Sequence, residues 1–449
     1  MKVGRFFVNT LLGVLMGYSP IFAQWNPPRI LKHPNLAQIQ PQPLHILNSE
    51  YEETNMSISP DGKYLYFLSA RGGQPWSKAY YTTKKGKPQY DGDIWASQKV
   101  GGKWQPPYVL PLGINSPNGE DEPNISPDGQ VVYFQSWRED WERTNGPYYK
   151  ATLNGDQWGT PVGLGSGITK FFKDKSLQSL LRGGNMGTDG ASFSPDGNTF
   201  IFSFALGGSE AKMDLYISRK DAWGNWSYPV MLPVSTPGNE RSPFIAADNK
   251  TLFFASDGYG GWGGLDILKT TILENNTHTQ VLNIGAPFNT YLDDYGFMLT
   301  GSGDEAYFIR EGDIYYINTT NASPELKPGA TLMITGVIRD ASTKKGTGAL
   351  IHIVNPTTQK IIATGKSNSA TGEYSIMIPE LLDKFEQKVS KDGYTQAKKE
   401  HNIKITAGLN KVVSDLTIEP ILAKKEDNPP PQRPKPKPQQ QEASIDTNF

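Results

Sequence analysis
The chain has no cysteine among its 449 residues. That excludes disulfides, thiolate metal centres and a lipid-carrying cysteine. Histidine is nearly as scarce. His33, His45, His278, His352 and His401 are the only five, and no two stand at a ligand spacing such as HxxxH. A histidine-built zinc or manganese site, or a histidine-dependent triad, is therefore unsupported. Neither a G-x-S-x-G elbow nor a phosphate-cradling glycine motif occurs. An excess of one charge is also missing. The 44 Lys and Arg against 45 Asp and Glu give no field that would draw nucleic acid or an anionic membrane. Beyond the first two dozen residues no apolar run is long enough to cross a bilayer. These absences lead to an expectation of no catalytic residue, no cofactor and no metal, so of a chain that is not an enzyme.

Glycine (46), proline (34) and aromatics are plentiful, as suits an all-β chain with many turns. At the start, Lys2 and Arg5 precede a mostly apolar run from Phe6 to Phe22, and the small Ala23 follows. This reads as a secretory signal peptide over 1–23, with an exported product.

One pattern recurs through the next three hundred residues. Ser-Pro-Asp-Gly starts at Ser59, Ser126 and Ser194, with degenerate copies at Ala246 and Thr300. Proline presets φ, aspartate bonds its own backbone and glycine accepts φ > 0, so each copy is a tight turn. Eight residues after each start stands a phenylalanine: Phe67, Phe134, Phe202, Phe254 and Phe308. A further strand follows with an acid–aliphatic opening, at Asp93, Asp214, Asp266 and Asp313, whereas the second copy has Gly146-Pro147-Tyr148-Tyr149 there. Multi-strand repeats of this size predict propeller blades. Five are counted, and a sixth is open if one copy is too degenerate to see. The stretch 37–47 looks like an outer strand that completes the last blade.

The order of turn, aromatic strand and Asp-Ile-Trp-type strand resembles the TolB-like, WD-type β-propeller repeat over roughly residues 38–320. Propellers of this kind serve as docking platforms, as gates and at times as enzymes, so the resemblance bears on fold more than on role.

Each inner strand is preceded or opened by acids: Glu53; Glu120 and Asp121; Asp189; Glu240; Asp293 and Asp294. On a radial plan they gather near one channel mouth. There they either receive a cation or a basic peptide, or bond groups of neighbouring blades. Trp76 in the 74–92 insertion, and Trp137 and Trp141 in the 137–147 insertion, are candidate anchors for a protein or glycan, or else fold back on the propeller. Lys170–Arg182 has leucines at 177, 180 and 181 in helical spacing. This helix either packs on its blade or offers Phe171 and Phe172 to a partner.

After residue 329 short strands continue at sandwich spacing. The run ITGVIRDASTKKGTGALIHIVN, then TGEYSIMIP, then KDGYT resembles the carboxypeptidase regulatory-like domain, a small transthyretin-like β-sandwich. From 423 to 449 Pro, Gln and Lys dominate and predict a disordered tail. The expected domains are thus a propeller over 24–325 closed by an N-terminal strand, a sandwich over 330–422, and the tail. The pairing is similar to envelope proteins of the Bacteroidota type IX secretion and gliding machinery, without their OmpA-like domain. That resemblance implies a non-enzymatic docking subunit of a transport or assembly complex. Its partners would be outer-membrane proteins, and it would sit in the periplasm or at the cell surface. The alternative is a propeller that binds or processes glycan.

Overall fold
The computed structural model describes residues 27–421 except 73, 76, 78, 83–87 and 208–210. The expected signal peptide, the Pro-rich tail and Trp76 lie outside the described residues. Among the described residues the architecture is all-β with one long helix, Ser166–Arg182. No helix among the described residues is long and apolar enough to cross a membrane.

Five sheets each carry one copy of the repeat. Their first strands are Glu53–Ile58, Glu120–Ile125, Asn185–Phe193, Glu240–Ile245 and Asp294–Leu299. Within each sheet the first strand pairs antiparallel with the second across the Ser-Pro-Asp-Gly-type turn, and the second with the third. The phenylalanine at the fixed offset is buried in every second strand: Phe67, Phe134, Phe202, Phe254 and Phe308. The five first strands touch one another in cyclic order, the fifth returning to the first. Gln42–Pro43 adds to the strand Asp313–Asn318 of the fifth sheet, and Arg29–Ile30 adds in parallel to Leu282–Asn283 of the fourth.

Side chains stitch the ring. Ser57 Oγ accepts from Ile125 N at 3.1 Å, Asn124 Oδ1 from Phe193 N at 3.1 Å, and Ser192 Oγ from Ile245 N at 2.9 Å. Phe244 and Met298 take the equivalent place in sheets four and five. At the seam between sheets five and one, Lys99 Nζ lies 2.7 Å from Glu305 Oε2 and 3.0 Å from Tyr307 Oη.

Two further sheets follow. Thr331–Asp340 lies between Glu373–Ile378 and Leu409–Val413, and Leu350–Val354 lies between Ile361–Lys366 and Lys384–Ser390. They share one apolar core that includes Ile334, Ile351, Ile353, Ile376 and Phe385. This second unit sits on the face of the ring that carries the Pro-Asp-Gly turns. Met333 and Met377 bury against Ala247. Gln130 Nε2 donates to Lys366 O (3.0 Å), Asn368 Nδ2 to Gly155 O (2.9 Å) and Gly329 N to Asp248 Oδ2 (2.8 Å).

Candidate functional site: a channel mouth and a groove between the two units
The acids named from the sequence divide into two groups. Glu53, Glu120, Glu240 and Asp294 are buried and bound within their own sheets. Glu53 accepts from Ser49 N (3.0 Å) and Oγ (2.6 Å), from Ser69 Oγ (2.9 Å) and from Arg71 Nη2 (2.9 Å). Arg71 also donates to Leu47 O at 2.7 Å. Glu120 repeats this with Ser116, Ser136 and Arg138, and Asp294 with Thr290 and Arg310. Glu240 takes Thr236 and Ser256 but has no arginine, and burial pushes its carboxyl up to about 7. These carboxylates clamp the loop before each sheet to its second strand. The signal was present in the sequence: a Ser or Thr stands four residues before each acid.

The next residues along face the ring's axis. Each first strand carries a β-bulge at the same place, and the extra residue has positive φ: Asn55 (41°), Glu122 (54°), Gly190 (98°), Ser242 (48°) and Gly296 (62°). Left-handed backbone is uncommon outside glycine, and three such residues, Asn55, Glu122 and Ser242, gather here. The bulges nearly meet, leaving a void of about 10 Å³. A Cβ on Gly190 would stand 2.5 Å from Ser242 Cα. Gly190→Ala is therefore expected to cost about 1–3 kcal/mol through overpacking. A urea midpoint unchanged from wild type would refute so tight a closure.

Above the void, Asp121, Asp189 and Arg241 form a polar mouth with Thr54 and Tyr295. Arg241 pairs with Asp189, and Asn55 Nδ2 donates to Asp121 Oδ1 at 2.7 Å. Burial raises the Asp121 carboxyl and lowers the Arg241 guanidinium from their ordinary values. Glu122 accepts from Gly190 N (3.0 Å) and from the Tyr148 hydroxyl, and burial, then Asp121, push it up to about 8. Asp293 takes Leu265 N (3.0 Å) at the rim. Sequence reasoning found Asp121, Asp189 and Asp293, and missed Asn55, Glu122, Arg241 and Ser242.

The aromatic candidates are placed differently from a partner surface. Phe171 and Phe172 are fully buried against Phe202 and Phe204, which corrects the expectation that they meet a partner. Trp137 stacks edge-on with Trp141 (5.5 Å) and Phe172 (5.7 Å), so the 137–147 loop folds back. The helix packs through Ile168, Phe171 and Phe172, whose bulk fills the sheet edge, while Leu177, Leu180 and Leu181 are exposed.

The larger concavities lie on the other face, between the ring and the second unit. One groove of about 520 Å³ is lined by Tyr64, Tyr108, Trp158, Gln98, Gln157 and Glu373, among others. It adjoins a cleft of about 250 Å³ that shares Tyr64, Asp128 and Glu373. A cavity of about 470 Å³ also reaches Asp128, beneath the turns of the first three sheets. The tight turn shapes the groove. Gly129 has φ 71°, and a Cβ there would stand 2.7 Å from the Tyr64 ring, so glycine lets that ring lie over the turn. Tyr66 and Tyr108 are hydrogen-bonded to each other, and Tyr108 is 52% exposed. Burial, then Glu373 and Asp61, push the Tyr64 phenol up to about 12, so it stays a neutral donor.

No family model matches the chain, and no curated protein does. Among solved structures it is similar to a protein described as TolB from Agrobacterium tumefaciens, at 14% identity over 76% of this chain and 98% of that one, TM-score 0.33. It is also similar to the periplasmic gluconolactonase of Pseudomonas aeruginosa, at 11% identity over 79% and 87%, TM-score 0.31. A third is a family 117 glycoside hydrolase from Zobellia galactanivorans, at 12% identity over 66% and 89%, TM-score 0.35. The expectation that this chain is not an enzyme is corrected at this point, because the solved structures it resembles are mostly enzymes.

Proposed function
We propose that the chain is a five-bladed TolB-like propeller bearing a transthyretin-like sandwich, and that the groove between the two binds or processes a glycan. The observation that carries this reading is the groove's lining. Tyr64, Tyr108 and Trp158 supply flat apolar faces, while Gln98, Gln157 and Glu373 supply donors and acceptors around them. Sugars present both a C–H face and a hydroxyl edge, and a mostly apolar cleft with a few placed polar groups suits them. Residues 24–325 and 330–422 are taken as the two folded domains, in an exported protein.

Calorimetric titration with a panel of soluble oligosaccharides tests this, with product analysis by mass spectrometry for turnover. Saturable binding is expected, weakened about tenfold, or about 1.4 kcal/mol, by Trp158→Ala and by Tyr108→Ala. Absence of saturation across the panel, or affinities that both variants leave unchanged, would overturn the reading.

A further inference from the structure
The groove of Tyr64, Tyr108 and Trp158 has features that a sugar does not require. Its charge is of one sign: Asp128, Asp156 and Glu373 line it, and no Lys or Arg does. Asp128 is held within its turn by Ser126 and Gln130. Asp156 and Glu373 are exposed, and their carboxylates have no partner among the described residues. The groove also carries idle donors. The Tyr64 hydroxyl, the Trp158 indole N–H and the amides of Gln98 and Gln157 bond nothing among the described residues. A fitting occupant has rigid apolar bulk, bare carbonyl oxygens and positive charge.

The chain itself contains such a segment, after the sandwich. Prolines stand at 429, 430, 431, 434, 436 and 438, with Arg433, Lys435 and Lys437 between them and no acid from 428 to 441. Pro431 and Pro434 give the P-x-x-P spacing. Proline fixes φ at about −65°, which preorganises the polyproline helix, and that helix has no internal hydrogen bonds. Its carbonyls are left for donors on side chains, and aromatic-lined grooves take P-x-x-P segments in this way. The charges also match, three cations against three carboxylates.

The attachment point favours it. Ile421 N donates to Gly393 O at 2.8 Å, and Lys391 Nζ lies 2.5 Å from Thr347 Oγ1. Gly346, beside Thr347, packs against Thr371, which lines the groove. The chain thus leaves the sandwich a few contacts from the groove's edge. Fully extended, residues 422–431 reach about 33 Å. We propose that segment 429–438 docks in this groove of its own chain, with prolines on Tyr64, Tyr108 and Trp158 and cations toward Asp156 and Glu373. A tethered segment acts at about millimolar effective concentration, so a contact with a Kd of about 0.1 mM is mostly filled. The segment then covers the groove and competes with a glycan for it. The competition rests on the glycan reading above; the docking does not.

The test uses a full chain carrying Pro431→Ala, Arg433→Ala, Pro434→Ala and Pro436→Ala, titrated calorimetrically with a synthetic peptide of residues 425–441. Saturable binding is expected, about tenfold tighter than to the wild-type chain, whose own segment fills the groove. In the altered chain Trp158→Ala should weaken it about tenfold and the exposed Glu373→Gln about threefold, and rising salt should weaken it further. A control peptide with alanine at every proline keeps the charge and should bind about tenfold more weakly. The soluble oligosaccharides are titrated into both chains, and those that bind should prefer the altered one. Peptide binding with no oligosaccharide bound to either chain supports the docking and sinks the glycan reading. Oligosaccharides that bind both chains equally, with no peptide bound, do the reverse. The docking is also overturned if the wild-type chain binds the peptide as tightly as the altered one, if the proline-free peptide matches it, or if Trp158→Ala and Glu373→Gln both leave it unchanged.

Discussion

Replacing Arg71 with leucine is expected to lower the stability of the ring by about 3–5 kcal/mol, the usual cost of stranding one member of a buried ion pair. Glu53 has no exposed side-chain surface and Arg71 only 16%, so water cannot take over the lost role. The carboxylate would keep Ser49 and Ser69 but lose its counter-charge, and Leu47 O would lose a donor. Sheet four shows what burial does without the arginine: Gly258 stands where Arg71 and Arg138 stand, and Glu240 is pushed up to about 7. Adding Glu53→Gln to the Arg71 variant should recover a good part of the loss, because the uncompensated charge is gone. Urea unfolding of the three proteins measures it. A loss below about 1 kcal/mol in the single variant, the range of exposed pairs, would mean that the clamp is not what fastens the loop to the sheet.

Glu122→Gln should raise the melting temperature, and the gain should depend on pH. Burial, then the neighbouring Asp121, push the folded carboxyl up to about 8, against about 4.3 in an unfolded chain. Below about pH 4 both states hold the proton and the group contributes nothing. Between there and pH 8 the unfolded state ionises first, so the folded state binds more protons and stability falls as pH rises. Above pH 8 the full penalty is present. Every tenfold difference in proton affinity between the two states is worth about 1.4 kcal/mol, so the penalty is on the order of several kcal/mol. Glutamine keeps an acceptor for Gly190 N, and its amide NH2 can donate to the Tyr148 hydroxyl oxygen instead of accepting from it, while repulsion from Asp121 is removed. Thermal melts of both proteins from pH 4 to 9 should show curves that coincide at the acid end and separate by several degrees near pH 8. A constant offset across that range would assign the effect to packing instead.

Much of the fold was readable because it is local and repeated. The Pro-Asp-Gly turn fixes a hairpin, and the phenylalanine at a constant offset marks the buried side of the second strand. The acids were visible for the same reason, but their roles were not. Neighbouring residues in a strand point to opposite sides, so Glu120 enters the clamp while Asp121 reaches the mouth. The bulge then brings Glu122 to the axis as well, and a slip of one residue is not legible in residue types. Arg241 and Ser242 gave no signal because their meaning comes from facing Asp189 and Gly190 of another sheet. The groove is farther still from sequence reasoning. Gln130 meets Lys366 and Gly155 meets Asn368, and no periodicity links segments so remote. The helix was legible from its leucine spacing, but the face that meets the sheet was not: two adjacent phenylalanines carry the bulk inward while the leucines stay exposed.

The pairing of Gln42–Pro43 with the strand Asp313–Asn318 has a consequence for biosynthesis. The first of these segments leaves the ribosome long before the second exists. At about 5–20 residues per second, the nascent chain spends on the order of tens of seconds with its last sheet incomplete. For that interval the earlier four sheets have no closed circle to join, and their end faces stay open to chaperones.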